Sequence, residues 1–382
     1  MRFLYIAPRY HTNQAPIMKN LVENGHEVCF ISHYRGKIED YSSIQPVILG
    51  YSKLFSVWEK FYVKVLHRKN SKAVDMKLKF GFPPVLKIRK KVKEFSPDVI
   101  IIRERSIYSI VTCLVCKNLH IPTILYNQSP LWEKEIKNDL PHRLVKAALP
   151  KVRMTPVLGT EGHGNEKEAG AVFIPFVIEP KLAPENKKWF RNGNINILCI
   201  GKYEKRKNIR MLLEIFEEIF EEYSLSLTVA GECTSKFHKE YKAEQESFIE
   251  KHHLQQRVTL LQNLNRQEIE ALYEQADLFV IPSTDEPASV SQMEAMAFSV
   301  PVICSDENGT ACYVKDGVSG YLFRDNQKES LRNVLLAMIS DREKMIRMGA
   351  DSYREIRDNC SFSRYYEGVL SCIEETEHLK RG

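Results

Sequence analysis

The chain has 382 residues, 43% apolar and 27% charged, with a formal net charge of +6. That length exceeds one ordinary core and fits two α/β domains, and the composition excludes a disordered chain. No apolar run approaches a bilayer-spanning length, and residues 1–7 read as a buried first strand rather than a leader. Nine scattered cysteines suit free thiols in a reducing cytoplasm.

In chain order, the first half opens with a strand at 2–7, a helix at 15–24 closed by Gly25, and a strand at 27–32. Residues 51–95 hold thirteen Lys/Arg against three Asp/Glu. There Tyr51, Phe55, Trp58, Phe61 and Tyr62 are interleaved with Lys53, Lys60 and Lys64. Two readings stay open: an amphipathic helix lying on an anionic membrane surface, or a solvated basic face with its aromatics turned inward. Nucleic acid is not expected, because no binding motif accompanies the charge. A strand at 97–102, a helix at 106–120 and strands at 122–126, 152–157 and 171–175 complete this half. Cys113 and Cys116 form a lone pair on an apolar helix and read as buried thiols rather than zinc ligands. The polar stretch 179–194 reads as a linker.

The second half restarts with strand 195–200, helix 207–223, strand 226–230, helix 236–253, strand 258–261 and helix 266–275. Strand 278–281, a short helix from about 289, and strands 301–304 and 320–323 follow, with helices to the end. This alternation implies parallel sheets in both halves.

Chemistry concentrates beyond the strand 278–281. Its loop carries Glu286, and the next helix carries Glu294, eight positions on. In open α/β sheets ligands bind beyond the carboxyl ends of the strands, where the next helix offers unpaired N–H groups to an anion. Two carboxylates around such a helix start suit a ligand with both hydroxyls and phosphates, such as a nucleotide sugar. Strand 195–200 ends in Gly201-Lys202-Tyr203-Glu204-Lys205-Arg206-Lys207, where Gly201 allows a close turn and Lys202 and Lys207 are candidates for a diphosphate. Gly231, ending the next strand, is expected to admit a ligand close to the backbone.

The order of these features resembles the donor domain of family-4 glycosyltransferases, retaining enzymes of the GT-B fold. The basic loop, Gly231, the paired glutamates, Ala295-Met296-Ala297, Val300-Pro301 and Asp316-Gly317 carry the likeness. It is dense over 195–340, whereas the first half shares only the strand pattern and Gly25-His26-Glu27-Val28. The resemblance implies two Rossmann-like domains whose parallel sheets face across a cleft: 1–180 for the acceptor and 195–360 for the donor. The last segment, 361–382, is expected to be a helix returning to the first domain.

By the same resemblance, Glu286 approaches the hydroxyls of the transferred sugar and Glu294 accepts from the ribose. Lys202 and Lys207 hold the diphosphate and stabilise the leaving charge, and Gly201, Gly231 and the N–H groups of Ser289 and Val290 complete the donor site. Three departures stand out. Pro287-Ala288-Ser289 replaces a commoner Gly-aromatic-Gly, Lys202 replaces an arginine and so lacks its fork of donors, and Ser299 replaces a glycine.

The acceptor side is less legible. The loop 8–16 has no glycine; Arg9 or His11 could face the crevice, and Thr12 or Asn13 could cap the following helix. Gln128 stands where relatives often carry histidine and cannot act as a base. Glu161-Gly162-His163-Gly164 reads as a flexible loop.

The expected activity is retaining transfer of a hexosyl-type sugar from a nucleotide-diphosphate donor to a hydroxyl of a glycan or lipid-linked acceptor. Surface polysaccharide or glycolipid assembly is the expected setting, with the protein cytoplasmic and peripheral on the inner face of the plasma membrane. No metal and no cofactor are expected. The alternatives are a sugar-nucleotide epimerase of similar fold and a non-catalytic partner subunit.

Overall fold

The computed structural model describes residues 1–36, 41–65, 80–103, 106–162 and 164–381. The chain divides into two compact units: Met1–Val177 with Phe362–Gly382, and Ile178–Ser361.

The first unit is built on seven parallel strands: β1 (Arg2–Ala7), β2 (Glu27–Ser32), β3 (Val47–Ile48), β4 (Val99–Arg103), β5 (Thr123–Tyr126), β7 (Arg153–Thr155) and β9 (Ala171–Phe173). Their order is β3-β2-β1-β4-β5-β7-β9. Two more short strands, β6 (Trp132–Glu133) and β8 (Glu166–Lys167), pair antiparallel on their own. Phe3, Leu4, Tyr5, Ile6 and Ala7 are all buried, as a strand covered on both faces requires. Helices α1 (Ala15–Glu23), α2 (Lys53–Val65), α3 (Val85–Phe95), α4 (Ile107–Lys117) and α5 (Leu140–Ala148) accompany the sheet. Cys113 and Cys116 of α4 are buried free thiols.

The second unit holds β10 (Ile195–Ile200), β11 (Leu225–Gly231), β12 (Val258–Gln262), β13 (Leu278–Ile281), β14 (Val302–Ser305) and β15 (Gly320–Phe323). All are parallel, in the order β12-β11-β10-β13-β14-β15. Chain order reverses between β10 and β13, so their carboxyl ends bound the switch-point crevice. Helices α6 (Ile209–Ile219), α7 (Lys236–Lys251), α8 (Arg266–Gln275), α9 (Val290–Ala297), α10 (Lys328–Ile339) and α11 (Arg342–Asn359) connect and follow these strands. In α6, Ile209, Leu212, Leu213, Ile215, Phe216 and Ile219 are essentially inaccessible. Each such side chain contributes roughly 1.5–3 kcal/mol of burial.

The last helix, α12 (Phe362–Arg381), belongs to the first unit. It places Tyr365, Val369 and Cys372 in that core, and the Tyr365 hydroxyl lies 3.0 Å from that of Tyr5.

The stretch 179–194, expected as a linker, instead straps the second unit. Trp189 lies over Gly349, where a Cβ would come within 2.5 Å of the ring. The backbone N–H of Phe190 donates to buried Asp277, which also accepts from the N–H and amide of Asn196, each at 2.8 Å. Lys181 and Leu182 donate to the carbonyl of Ala297, fixing the end of α9. Ser299 follows at φ +56°, the conformation that favours glycine, and its hydroxyl donates to Leu182 O at 2.6 Å. That hydrogen bond offsets part of the left-handed cost. Among the described residues no helix is long and apolar enough to cross a membrane.

Candidate active site

The site on the second unit is assembled by two loops leaving adjacent parallel strands. After β10, residues Lys205–Lys207 form a 3-10 turn, so Lys207 precedes α6 rather than opening it. Asn208 then takes φ +51°, which asparagine tolerates better than most residues. Gly201 lies beneath the Lys207 stem: a Cβ there would meet Lys207 Cδ at 3.1 Å and Cε at 3.3 Å. After β13, Asp285 at φ +48° turns the chain so that Glu286 points back at the first loop.

The result is a buried ionic cluster. Lys207 and Glu286 are only 9% and 6% exposed, and Lys207 Nζ donates to Glu286 Oε2. Arg206 Nη1 reaches the same carboxylate oxygen at 3.0 Å, while its Nη2 pairs with Glu204 at 2.8 Å. The loops are also tied through the backbone, Thr284 N donating to Arg206 O at 2.8 Å. A buried charge is tolerated only when paired, and here three charged groups share one contact.

Lys202 faces elsewhere. Its side chain is half exposed and its ammonium pairs with Glu232 at 3.0 Å. Partial burial opposes ionisation of Glu232, yet the Thr234 hydroxyl and Lys202 hold its carboxyl below the usual range. Gly231 lets the neighbouring strand pack closely. A Cβ at Gly231 would stand 1.8 Å from the carbonyl oxygen of Gly201, so β10 and β11 could not lie this close.

Helix α9 starts with Ser289 as its cap, the hydroxyl accepting from Gln292 N at 3.3 Å. Ser289 N–H was expected to face an anion, but it donates to Thr310 Oγ1 at 3.2 Å. Buried Gln292, Asn308 and Thr310 interlock behind it. Val290 N–H has no hydrogen-bond partner among the described residues and remains as the first-turn donor. Further along α9, Glu294 accepts from Arg266 and, at 3.1 Å, from the Tyr273 hydroxyl. Burial and then the Glu294 charge push the Tyr273 phenol well above its usual range, so it is a donor to Glu294 at all ordinary pH. The structure thus joins Glu286 with Lys207, and Glu294 with Arg266, in separate clusters of one crevice edge. Arg206, Arg266 and Tyr273 were not expected. Only the adjacency of Arg206 to Lys207 could have signalled the first.

On the first unit, Arg9 Nη2 lies 3.1 Å from His11 Nε2 beyond β1. Neither Thr12 nor Asn13 caps α1: they lie in a preceding 3-10 turn, and Gln14 occupies the cap position while its side chain accepts from His11 N at 2.9 Å instead of from the helix. Gln128, beyond β5, accepts from Arg103 at 3.2 Å. His163 lies outside the described residues. No three His, Cys, Asp or Glu residues gather as metal ligands among the described residues.

Comparison with known proteins agrees with this architecture. Residues 184–355 match the family described as Glycosyl transferases group 1. Spore coat protein SA of Bacillus subtilis is 28% identical over 193 residues, 48% of this chain and 50% of that protein. The chain therefore spans about half the length of that relative. A glycosyltransferase from Rickettsia africae superposes with a TM-score of 0.72 over 98% of each chain, at 14% identity. Anabaena Alr3699/HepE, solved in complex with UDP and glucose, superposes at 0.69 over 98% of this chain and 99% of that one, also at 14% identity. The family match falls within the second unit, and the chain has the GT-B fold.

Proposed function

We propose that this chain is a glycosyltransferase that binds a nucleotide-diphosphate sugar on its second unit and transfers the sugar to a hydroxyl, with retention of configuration. The observation that carries the reading is the convergence of Lys207 and Glu286 at the carboxyl ends of β10 and β13, with Glu294 one helix further on. A buried ammonium stabilises phosphate charge far better than an exposed one, because the surroundings screen it less. Lys207 would neutralise the charge growing on the leaving diphosphate. Glu286 accepts hydrogen bonds from the sugar hydroxyls, and Glu294 takes the ribose hydroxyls when Arg266 yields one of its oxygens. The Val290 N–H and the helix dipole add a further contact to the phosphates. In a retaining transfer of this kind the leaving phosphate oxygen takes the acceptor's proton on the face it vacates, and no covalent sugar–enzyme bond forms.

The acceptor is assigned to the first unit, with Arg9, His11 and Gln128 beyond its strand ends as candidates. Exposed Leu54, Val57, Trp58 and Phe61 of α2, together with Phe80, Phe82 and Leu86, make an apolar surface; Leu54 and Leu86 are 85% and 81% exposed. Phe55 and Trp58 help line a hollow of about 510 Å³ there. The exposed cations Lys87, Arg89, Lys90 and Lys93 on α3 accompany it. Residues 66–79 of the basic segment lie outside the described residues. This surface suits the headgroup region of an anionic bilayer, which fits a lipid-linked acceptor and glycolipid or surface polysaccharide assembly. Flotation with phosphatidylglycerol vesicles at low salt tests it: binding lost on Leu54→Glu/Trp58→Glu supports the surface, and no binding removes it.

The activity is tested by incubating the protein with a panel of sugar nucleotides and simple glycoside acceptors. Release of nucleoside diphosphate with an acceptor-linked sugar of unchanged anomeric configuration supports the proposal. An epimerised sugar without any acceptor would replace it with the epimerase.

A further inference from the structure

Resting on the donor reading above, we propose that Arg206, rather than Lys202, supplies the second cation that grips the donor diphosphate. The assignment follows from where the two side chains go. Arg206 Nη1 and Lys207 Nζ converge on one anionic oxygen, Glu286 Oε2. A phosphoryl oxygen offers the same charge and acceptor chemistry and can enter that contact. Lys202 instead extends to Glu232, a carboxylate beyond the end of the neighbouring strand β11, and leaves its ammonium half in solvent.

Arg206 is also fixed from several sides. Its carbonyl accepts from Thr284 N at 2.8 Å and from the Thr284 hydroxyl at 3.4 Å. Glu204 holds its Nη2. These contacts come from both loops of the crevice, so the guanidinium is oriented before any ligand arrives, which lowers the entropic cost of binding. Arginine brings parallel N–H donors that match two oxygens of a phosphate, which an ammonium cannot do. The fork missing at position 202 is thereby restored four positions later in the chain. The arrangement also gives Glu286 two roles in sequence: it holds both cations before the donor binds, then turns its carboxylate to the sugar when the diphosphate enters.

Titration calorimetry with UDP, GDP and ADP on the full chain tests the assignment. With whichever nucleotide the wild type binds, Arg206→Ala should weaken binding about 10- to 100-fold, the range of one charge-assisted hydrogen-bonded contact. Arg206→Lys should recover only part of it, and Lys202→Ala should lose less than about threefold by the same scale. The corresponding nucleoside monophosphate should discriminate less between wild type and Arg206→Ala. Circular dichroism on each variant separates lost binding from lost folding. Lys202→Ala weakening binding as much as Arg206→Ala would overturn the assignment while leaving the donor site intact. Unchanged diphosphate binding in Arg206→Ala, with turnover reduced, would make Arg206 a positioning residue for Glu286 and also overturn it. If the wild type binds none of the three, the donor reading fails and takes this assignment with it.

Discussion

Two glycines beside the crevice make opposite predictions, and replacing each by alanine separates folding from binding. At Gly231 the added Cβ would stand 1.8 Å from Gly201 O and 2.8 Å from Gly201 C. Real Cβ contacts essentially never fall below 3.0 Å, so the strands would have to part by about 1.2 Å. Both obstructing atoms are backbone, so no side chain can rotate away. Overpacking of a tight core costs about 1–3 kcal/mol, and a backbone-on-backbone clash belongs at or above the upper end. For a unit of this size, ~3 kcal/mol lowers the midpoint by roughly 6–12 °C. At Gly201 the obstructing atoms are 3.1–3.4 Å away and belong to the flexible Lys207 stem. Gly201→Ala should therefore keep the melting midpoint within about 3 °C and weaken nucleotide binding, because Lys207 is pushed off its contact with Glu286. Differential scanning calorimetry of both variants, with nucleotide titration of Gly201→Ala, reads the contrast. Equal midpoints for Gly231→Ala and wild type, or equal loss of stability in the two variants, would show that neither contact acts as described.

Two further expectations concern stability. His33 is buried against the Tyr108 ring at 3.7 Å, and burial pushes its imidazole down to about 3. Between that value and about 6.5 the unfolded chain takes up a proton the folded chain refuses, so this contribution is complete above pH 6.5 and is lost as pH falls. Stability of the first unit should drop by about 2 kcal/mol from pH 6.5 to 5, and His33→Phe should flatten that slope in urea denaturation; an unchanged slope would count against it. Asp277 satisfies three N–H donors at 2.8 Å in a site closed to solvent. Asp277→Ala should destabilise the second unit by about 3–5 kcal/mol, seen as an early calorimetric transition, and a loss under 1 kcal/mol would show that the strap is dispensable.

The parallel sheets were legible because strands buried on both faces read as short apolar runs between turn residues, as in Phe3–Ala7 and Leu278–Ile281. The two-residue strands β6 and β8 carry no such run and were missed, as was β3, whose apolar run Val47-Ile48-Leu49 is only three residues long. The strap at 179–194 was misread because its polar composition hides three anchors that act singly: Trp189, Phe190 and buried Lys187, whose ammonium donates to Tyr273 O at 3.4 Å. At the site, Glu286 and Lys207 stood out by residue type in the loops after strands, and Glu294 by its place on the short helix that follows. Arg206 was not, since the run Lys205-Arg206-Lys207 does not say which cation turns inward; the 3-10 turn and Thr284 decide that. Arg266 and Tyr273 reach Glu294 from another helix, a pairing that spacing along the chain cannot show. For Ser299 the glycine usual at that place has a physical cause in the positive φ the backbone adopts there.

On this reading the crevice edge between β10 and β13 holds a nucleotide-diphosphate sugar. Calorimetric titration of wild type, Lys207→Ala and Glu294→Ala with a panel of sugar nucleotides tests it most directly. Saturable binding of at least one donor by the wild type is expected, weakened about tenfold or more in both folded variants. Binding of equal strength in all three proteins, or none by the wild type, would contradict it.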